Sequence, residues 1–132
     1  MEAYEAFVIK FQEELRDAIK GCREKEAELS TEGAQDEAVM EKIKLNITDI
    51  FHKMFLLSLK RVNVLQPDPF SQLKEAYLPF FTRIPASWKE KEQKDKEHNR
   101  VLEGIIEEIK LKRAREIEVH FIDLITKYGE EA

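Results

Sequence analysis

Chemistry in this 132-residue sequence would have to start from three histidines, one cysteine and a large set of carboxylates. Two spacings bring an acid and an imidazole onto one helix face: Asp49-x-x-His52 and Glu116-x-x-x-His120. Such pairs are the smallest units of acid–base or metal chemistry. A di-metal carboxylate bundle needs more, a Glu-x-x-His on each of two helices plus further inward carboxylates, and that pattern is absent from the sequence. His98 stands apart in a charged stretch. A surface histidine with an acidic neighbour is the simpler reading of each pair. Cys22 falls on an apolar stripe, so a buried, inert thiol is expected rather than a nucleophile. No Gly-rich phosphate loop and no serine nucleophile elbow occurs. The sequence therefore predicts no catalytic residue, no metal site and no cofactor.

The elements that carry these residues read as helices. Glycine and proline number four each, too few for the turns of an all-β fold. In the first segment, residues 2–28, Tyr4, Phe7, Val8, Phe11, Leu15, Ala18, Ile19 and Cys22 recur at three- and four-residue spacings. Gly21, inside that stripe, suggests close packing or a weakened last turn. The second segment, 34–62, has Ser30 or Thr31 as its expected N-cap, with acids in its first turn. Its stripe widens at "MFLLSL", and a helix apolar nearly all round should be covered nearly all round. The last segment, 88–128, has a capping-box spacing at Ser87 and Glu90, a polar stretch "KEKEQKDKEHNR" over 89–100, and an apolar stripe from Val101 to Tyr128. Gly129 is a natural stop.

Between the second and last long helices lies an insert, 63–87. Asp68-Pro69 has the form of an N-cap followed by proline at the first helical position, which predicts a short helix from Pro69 to about Tyr77. Asp68-Pro69-Phe70 also resembles a short motif read by endocytic adaptor proteins, although Asp-Pro is an ordinary helix start. The stretch "YLPFFTRIPASW" then places four aromatic rings and two prolines in one segment. Pro79 and Pro85 are expected to stop a long regular helix there.

Lengths suggest an up-down-up arrangement. The first two helices and the stripe 101–128 are each about 40 Å long, whereas 89–100 adds roughly 18 Å that no other rod matches. That surplus projects, breaks near Asn99 or Gly104, or is covered by a second subunit. In this arrangement the insert crosses one end of the bundle. Phe70, Tyr77, Phe80, Phe81 and Trp88 then either plug that end or form an exposed contact patch, since aromatic residues are enriched at binding hot spots.

Charge narrows the function. The chain carries a net charge of −5. Residues 1–37 hold 11 acids against 5 bases, residues 38–88 hold 4 against 7, and residues 89–132 hold 12 against 10. No basic face suited to nucleic acid emerges. In "KLKRAR" (110–115) the bases point in several directions and acids flank them, as on a solvated helix. No signal-peptide run or membrane-length apolar stretch occurs, and a single cysteine permits no internal disulfide; a cytoplasmic setting is the default.

The expectation is one all-α domain over 1–132: an antiparallel bundle of three long helices with a short aromatic-rich helical insert between the second and last. The function expected of it is non-enzymatic, a protein-interaction or self-associating module, homodimeric, with no nucleic-acid or membrane partner. The alternative is a small-molecule-binding protein or enzyme, with a pocket between the aromatic insert and the bundle end and with His52 or Tyr77 as polar handles.

Overall fold

The computed structural model describes residues 2–131. Five helices follow one another: α1 (Glu2–Thr31), α2 (Gln35–Leu59), α3 (Pro69–Tyr77), α4 (Phe80–Glu97) and α5 (Val101–Glu131). The protein is all-α, an antiparallel bundle whose three long helices are α1, α2 and α5, with the short aromatic-rich α3 inserted between the second and the last.

Local chemistry sets each boundary. Gly33 adopts φ +83° after α1, and the turn carries the paired bonds of a Schellman motif, Ala34 N–H to Leu29 O at 2.9 Å and Gly33 N–H to Ser30 O at 3.2 Å. This carries α1 past the expected end at residue 28. Ser30 and Thr31 consequently belong to α1 and do not cap α2; the Thr31 hydroxyl donates back to Ala27 O. Ala34 precedes α2 without a side-chain cap, and Asp36 and Glu37 supply negative charge to its first turn. At α3 the Asp68 carboxylate accepts from Ser71 N–H at 3.2 Å and Pro69 follows, the arrangement the Asp-Pro pair implies. Gly21 is exposed, and an added Cβ would meet nothing within 4 Å, so it marks no close packing. Gly129 lies inside α5 and stops nothing.

The direction of the last long helix differs from the up-down-up expectation. Phe7 and Phe11 of α1 pack on Phe55 of α2, and Lys25 reaches Glu41 at 3.8 Å, so these two helices are antiparallel. Phe7 also meets Tyr128 while Phe11 meets Phe121, so α5 is antiparallel to α1 as well and runs parallel to α2. The missing upward rod is made by α3 and α4 together. Leu78 and Pro79 both keep right-handed helical angles, and Leu78 N–H to Lys74 O and Arg83 N–H to Pro79 O, each at 3.0 Å, bracket the joint. Pro79 therefore kinks the chain instead of ending it: proline removes one donor and crowds the carbonyl four residues back, and a bend relieves both. Pro85 sits buried within α4. The expected restart at Ser87 is absent; its hydroxyl donates to Ile84 O in mid-helix. Residues 69–97 thus form one kinked rod of about 43 Å.

The surplus length at 89–100 is resolved by a break at Asn99. Its φ is +58°, and Arg100 N–H to Asp95 O at 2.7 Å closes a second Schellman turn. The expected helix 88–128 is two antiparallel helices, with Lys91 of α4 reaching Glu107 of α5 at 3.6 Å. Gly104 stays within α5, where α4 approaches closely enough that an added Cβ would lie 3.9 Å from the Asp95 Cβ.

Aromatic rings fill the core. Phe7, Phe11, Phe51, Phe55, Tyr77 and Phe121 are fully buried. Tyr77 is the hub: its ring centroid lies 4.8 Å from that of Phe121, 4.9 Å from Phe81 and 5.2 Å from Phe55, all edge-to-face. Its hydroxyl donates to Phe51 O at 2.9 Å, and burial pushes its pKa well above the ordinary value.

Candidate interaction surface

The residue pairs that could have done chemistry are drawn apart. Asp49 binds Lys53 at 2.9 Å. His52 lies in the α1–α2 seam, where burial and then the Arg16 guanidinium hold its pKa below the ordinary value, against the pull of Asp49. His120 pairs with Glu14 across the α1–α5 seam, while Glu116 turns to Arg113 at 3.7 Å. Cys22 is buried beside Glu41, and burial followed by that carboxylate outweighs Arg113 in pushing its thiol pKa up. Among the described residues no group of three or more His, Cys, Asp or Glu side chains is placed to hold a metal ion. Among the same residues no helix is long and apolar enough to cross a membrane.

Sequence pattern gave no sign of two buried carboxylates between α4 and α5. Asp95 and Glu107 are almost wholly inaccessible, although "KEKEQKDKEHNR" reads as polar on every side. Lys91 bridges them, 3.1 Å from Asp95 Oδ2 and 3.6 Å from Glu107 Oε1. Arg100 and Lys110 approach from outside. Three cations around two acids make an ionic pin that ties the helical hairpin together, although Asp95 Oδ1 and Glu107 Oε2 are buried without a hydrogen-bond partner.

The five aromatic residues of the expected contact patch divide. Tyr77 and Phe81 are buried; Phe81 stacks on Phe51 with centroids 4.4 Å apart and planes 7° from parallel. Phe70 is half-buried against Tyr4 and Phe7, which together with the Asp68 cap commits the Asp-Pro-Phe stretch to the fold. Phe80 and Trp88 are also half-buried at the core margin, the first under Arg83 and the second under Lys110. The cleft between α3 and the end of α5, about 300 Å3, is lined largely by polar residues, Asp68, Ser71, Lys74, Thr126 and Glu130 among them. Neither His52 nor Tyr77 lines it.

An uncovered apolar surface lies elsewhere at the same end. The widened stripe of α2 is not enclosed: Leu56 and Leu57 are 39% and 47% exposed. Beside them an open groove of about 390 Å3 runs between α1 and the end of α2, lined by Tyr4, Glu5, Val8 and Ile9 on one wall and Leu59, Val62 and Val64 on the other. Ile9 is 60% exposed, and Leu65, next to the groove, is 90% exposed.

The loop that carries Leu65 is fixed. The Gln72 side chain accepts from Asn63 N–H at 2.8 Å and donates to Asn63 O and Pro67 O at 3.1 and 3.2 Å. The Asn63 side chain accepts from Leu65 N–H at 3.0 Å. These bonds hold the leucine outward. Charge divides across the groove, with Glu2 and Glu5 on α1 and Lys60 and Arg61 just past α2. Lys10 and Lys53 nearby are paired with Glu14 and Asp49, but those four charges form no ion pair among the described residues. Sequence reasoning singled out the widened apolar stripe of α2 but sought the contact residues among the rings; the further signal was "VNVLQP", an aliphatic run with no helical partner.

Comparison with known proteins finds no matching family model, curated protein or solved structure.

Proposed function

We propose that the chain is a non-enzymatic protein-interaction module working in a reducing, cytoplasmic setting, and that its contact surface is the α1–α2 groove with the adjoining loop. The observation that carries this is Leu65: a large aliphatic side chain, 90% exposed, on a loop pinned by side-chain hydrogen bonds. A lone exposed leucine would be ordinary, but Leu65 adjoins the aliphatic groove and exposed Ile9, and a contiguous apolar patch of this kind supports an interaction role. Of the expected aromatic patch, Phe70 supports this end of the bundle by packing on Tyr4 and Phe7, whereas Trp88 lies farther along α4 beside Lys110. The buried Cys22 thiol suits a reducing compartment.

A photo-crosslinking amino acid at position 65, in the cells that make the protein, tests the reading. Discrete protein adducts at position 65 and none from a control at exposed Glu116 are expected. Equal labelling at both positions would sink the proposal.

A further inference from the structure

We infer that the groove's occupant is a second copy of this chain, docked about a two-fold axis so that each copy's Leu65 enters the other's groove. The inference rests on the interaction reading and names its partner.

The surface contains both halves of a contact. The groove offers an aliphatic floor, Val8, Leu59 and Val62, of a size to receive a branched aliphatic side chain. The knob stands beside it, since Val64 lines the groove and Leu65 is the next residue. Leu65 does not fill its own groove, because Asn63 and Gln72 fix the loop with the leucine outward. An isologous dimer requires one patch that is complementary to itself. A knob adjoining a hole meets that requirement, because a two-fold rotation seats two knobs in two holes at once.

Charge points the same way. The groove wall on α1 carries Glu5, and the end of α2 carries Lys60 and Arg61, none of which forms an ion pair among the described residues. The same rotation brings the acidic wall of each copy against the basic end of the other, forming equivalent contacts of opposite sign. A foreign partner would need its own matching division of charge, whereas a second copy already has it. Few large aliphatic residues take part, so a weak dimer is expected.

Sedimentation equilibrium of the purified full chain across micromolar concentrations tests this. A monomer–dimer equilibrium is expected. Leu65→Asp should raise its dissociation constant at least about tenfold, since it puts a charge into an apolar groove. The helical circular dichroism should be unchanged, because Leu65 is nearly fully exposed. Glu5→Lys and Lys60→Glu should each weaken association severalfold, and the two together in one chain should restore it. A monomer at every concentration overturns the inference; if position 65 still crosslinks to another protein, the interaction reading survives with a foreign partner. A dimer indifferent to Leu65→Asp uses another face and also overturns it. Disruption by Leu65→Asp without recovery in the doubly reversed chain overturns the two-fold arrangement.

Discussion

Replacing Tyr77 by phenylalanine separates the two contributions of the residue at the centre of the core. The ring meets Phe11, Phe55, Phe81 and Phe121, and the hydroxyl donates to Phe51 O at 2.9 Å. Phenylalanine keeps the ring contacts and deletes the hydrogen bond. Phe51 O lies within α2, where the N–H four residues on remains available to it, so no buried acceptor is stranded. The expected loss is therefore the net value of one hydrogen bond, about 1 kcal/mol. For a chain of this size that lowers the midpoint of thermal unfolding by about 3–5 °C. Tyr77→Ala removes the ring too and leaves a cavity among four aromatic neighbours, which costs about 3–5 kcal/mol. Urea unfolding monitored at 222 nm gives both values, and the fluorescence of Trp88 on α4 reports separately on the kinked rod. Coincident transitions with the two losses in this order are expected. A Tyr77→Phe protein as stable as the parent would refute the buried hydrogen bond, and a loss below about 2 kcal/mol for Tyr77→Ala would refute the ring's place at the hub.

Gly21→Ala should stabilise the protein by about 0.5–1 kcal/mol, since the position is helical, exposed and free of neighbours; chemical denaturation reads this directly. Gly104→Ala should also stabilise, because its new Cβ would rest 3.9 Å from Asp95, while Gly104→Leu should lose about 1–3 kcal/mol by forcing α4 off α5. At Asn99, where φ is +58°, glycine should be accepted and valine should cost about 1–2 kcal/mol; equal stability of the two variants would refute the left-handed turn. His52 has a folded pKa below its ordinary value of 6.5, so folding favours the neutral ring. Its contribution is present above that pH and is lost as pH falls below it through the folded value, and His52→Gln should flatten the fall in melting temperature over that window.

What the sequence disclosed depended on how local the cause was. Asp68-Pro69 announces α3 because cap and proline act within one turn. The stripes of α1 and α2 announce long amphipathic helices because their period is a property of each helix alone. The rod formed by α3 and α4 was hidden, because proline's local preference argues for a stop at Tyr77–Pro79 and only the packing of Tyr77 and Phe81 into one core fixes a kink instead. The direction of α5 turned on Asn99, one residue among twelve polar ones. Asp95 was unreadable for a similar reason: its burial depends on the approach of Gly104 and on Glu107 and Lys91 across the hairpin, which no pattern along α4 encodes. The candidate surface was half legible. The widened stripe of α2 called for cover, and Leu56 and Leu57 are left partly exposed by this chain, whereas the groove beside them is built with α1 and could not be read from α2 alone.

The two ends of the bundle cohere by different forces, and the difference bears on where a partner would dock. At the end of the α4–α5 hairpin, Asp95 and Glu107 are held by lysines and an arginine whose side chains reach into solvent. The acids are buried, but the Lys91 and Arg100 side chains that meet them are half exposed and keep rotamer freedom, so a partner there would have to order them on binding. At the opposite end, interlocked rings beneath α1 and α2 and the hydrogen bonds of Gln72 to the loop fix the backbone that presents Leu65. Most of the ordering a contact needs is then complete in the free protein, and docking one leucine fixes only a short side chain. Apolar side chains are exposed at both ends, Val101 and Leu102 at the hairpin among them, but only at the aromatic end do they adjoin a hydrogen-bonded loop over interlocked rings, which favours the groove under the proposed interaction reading.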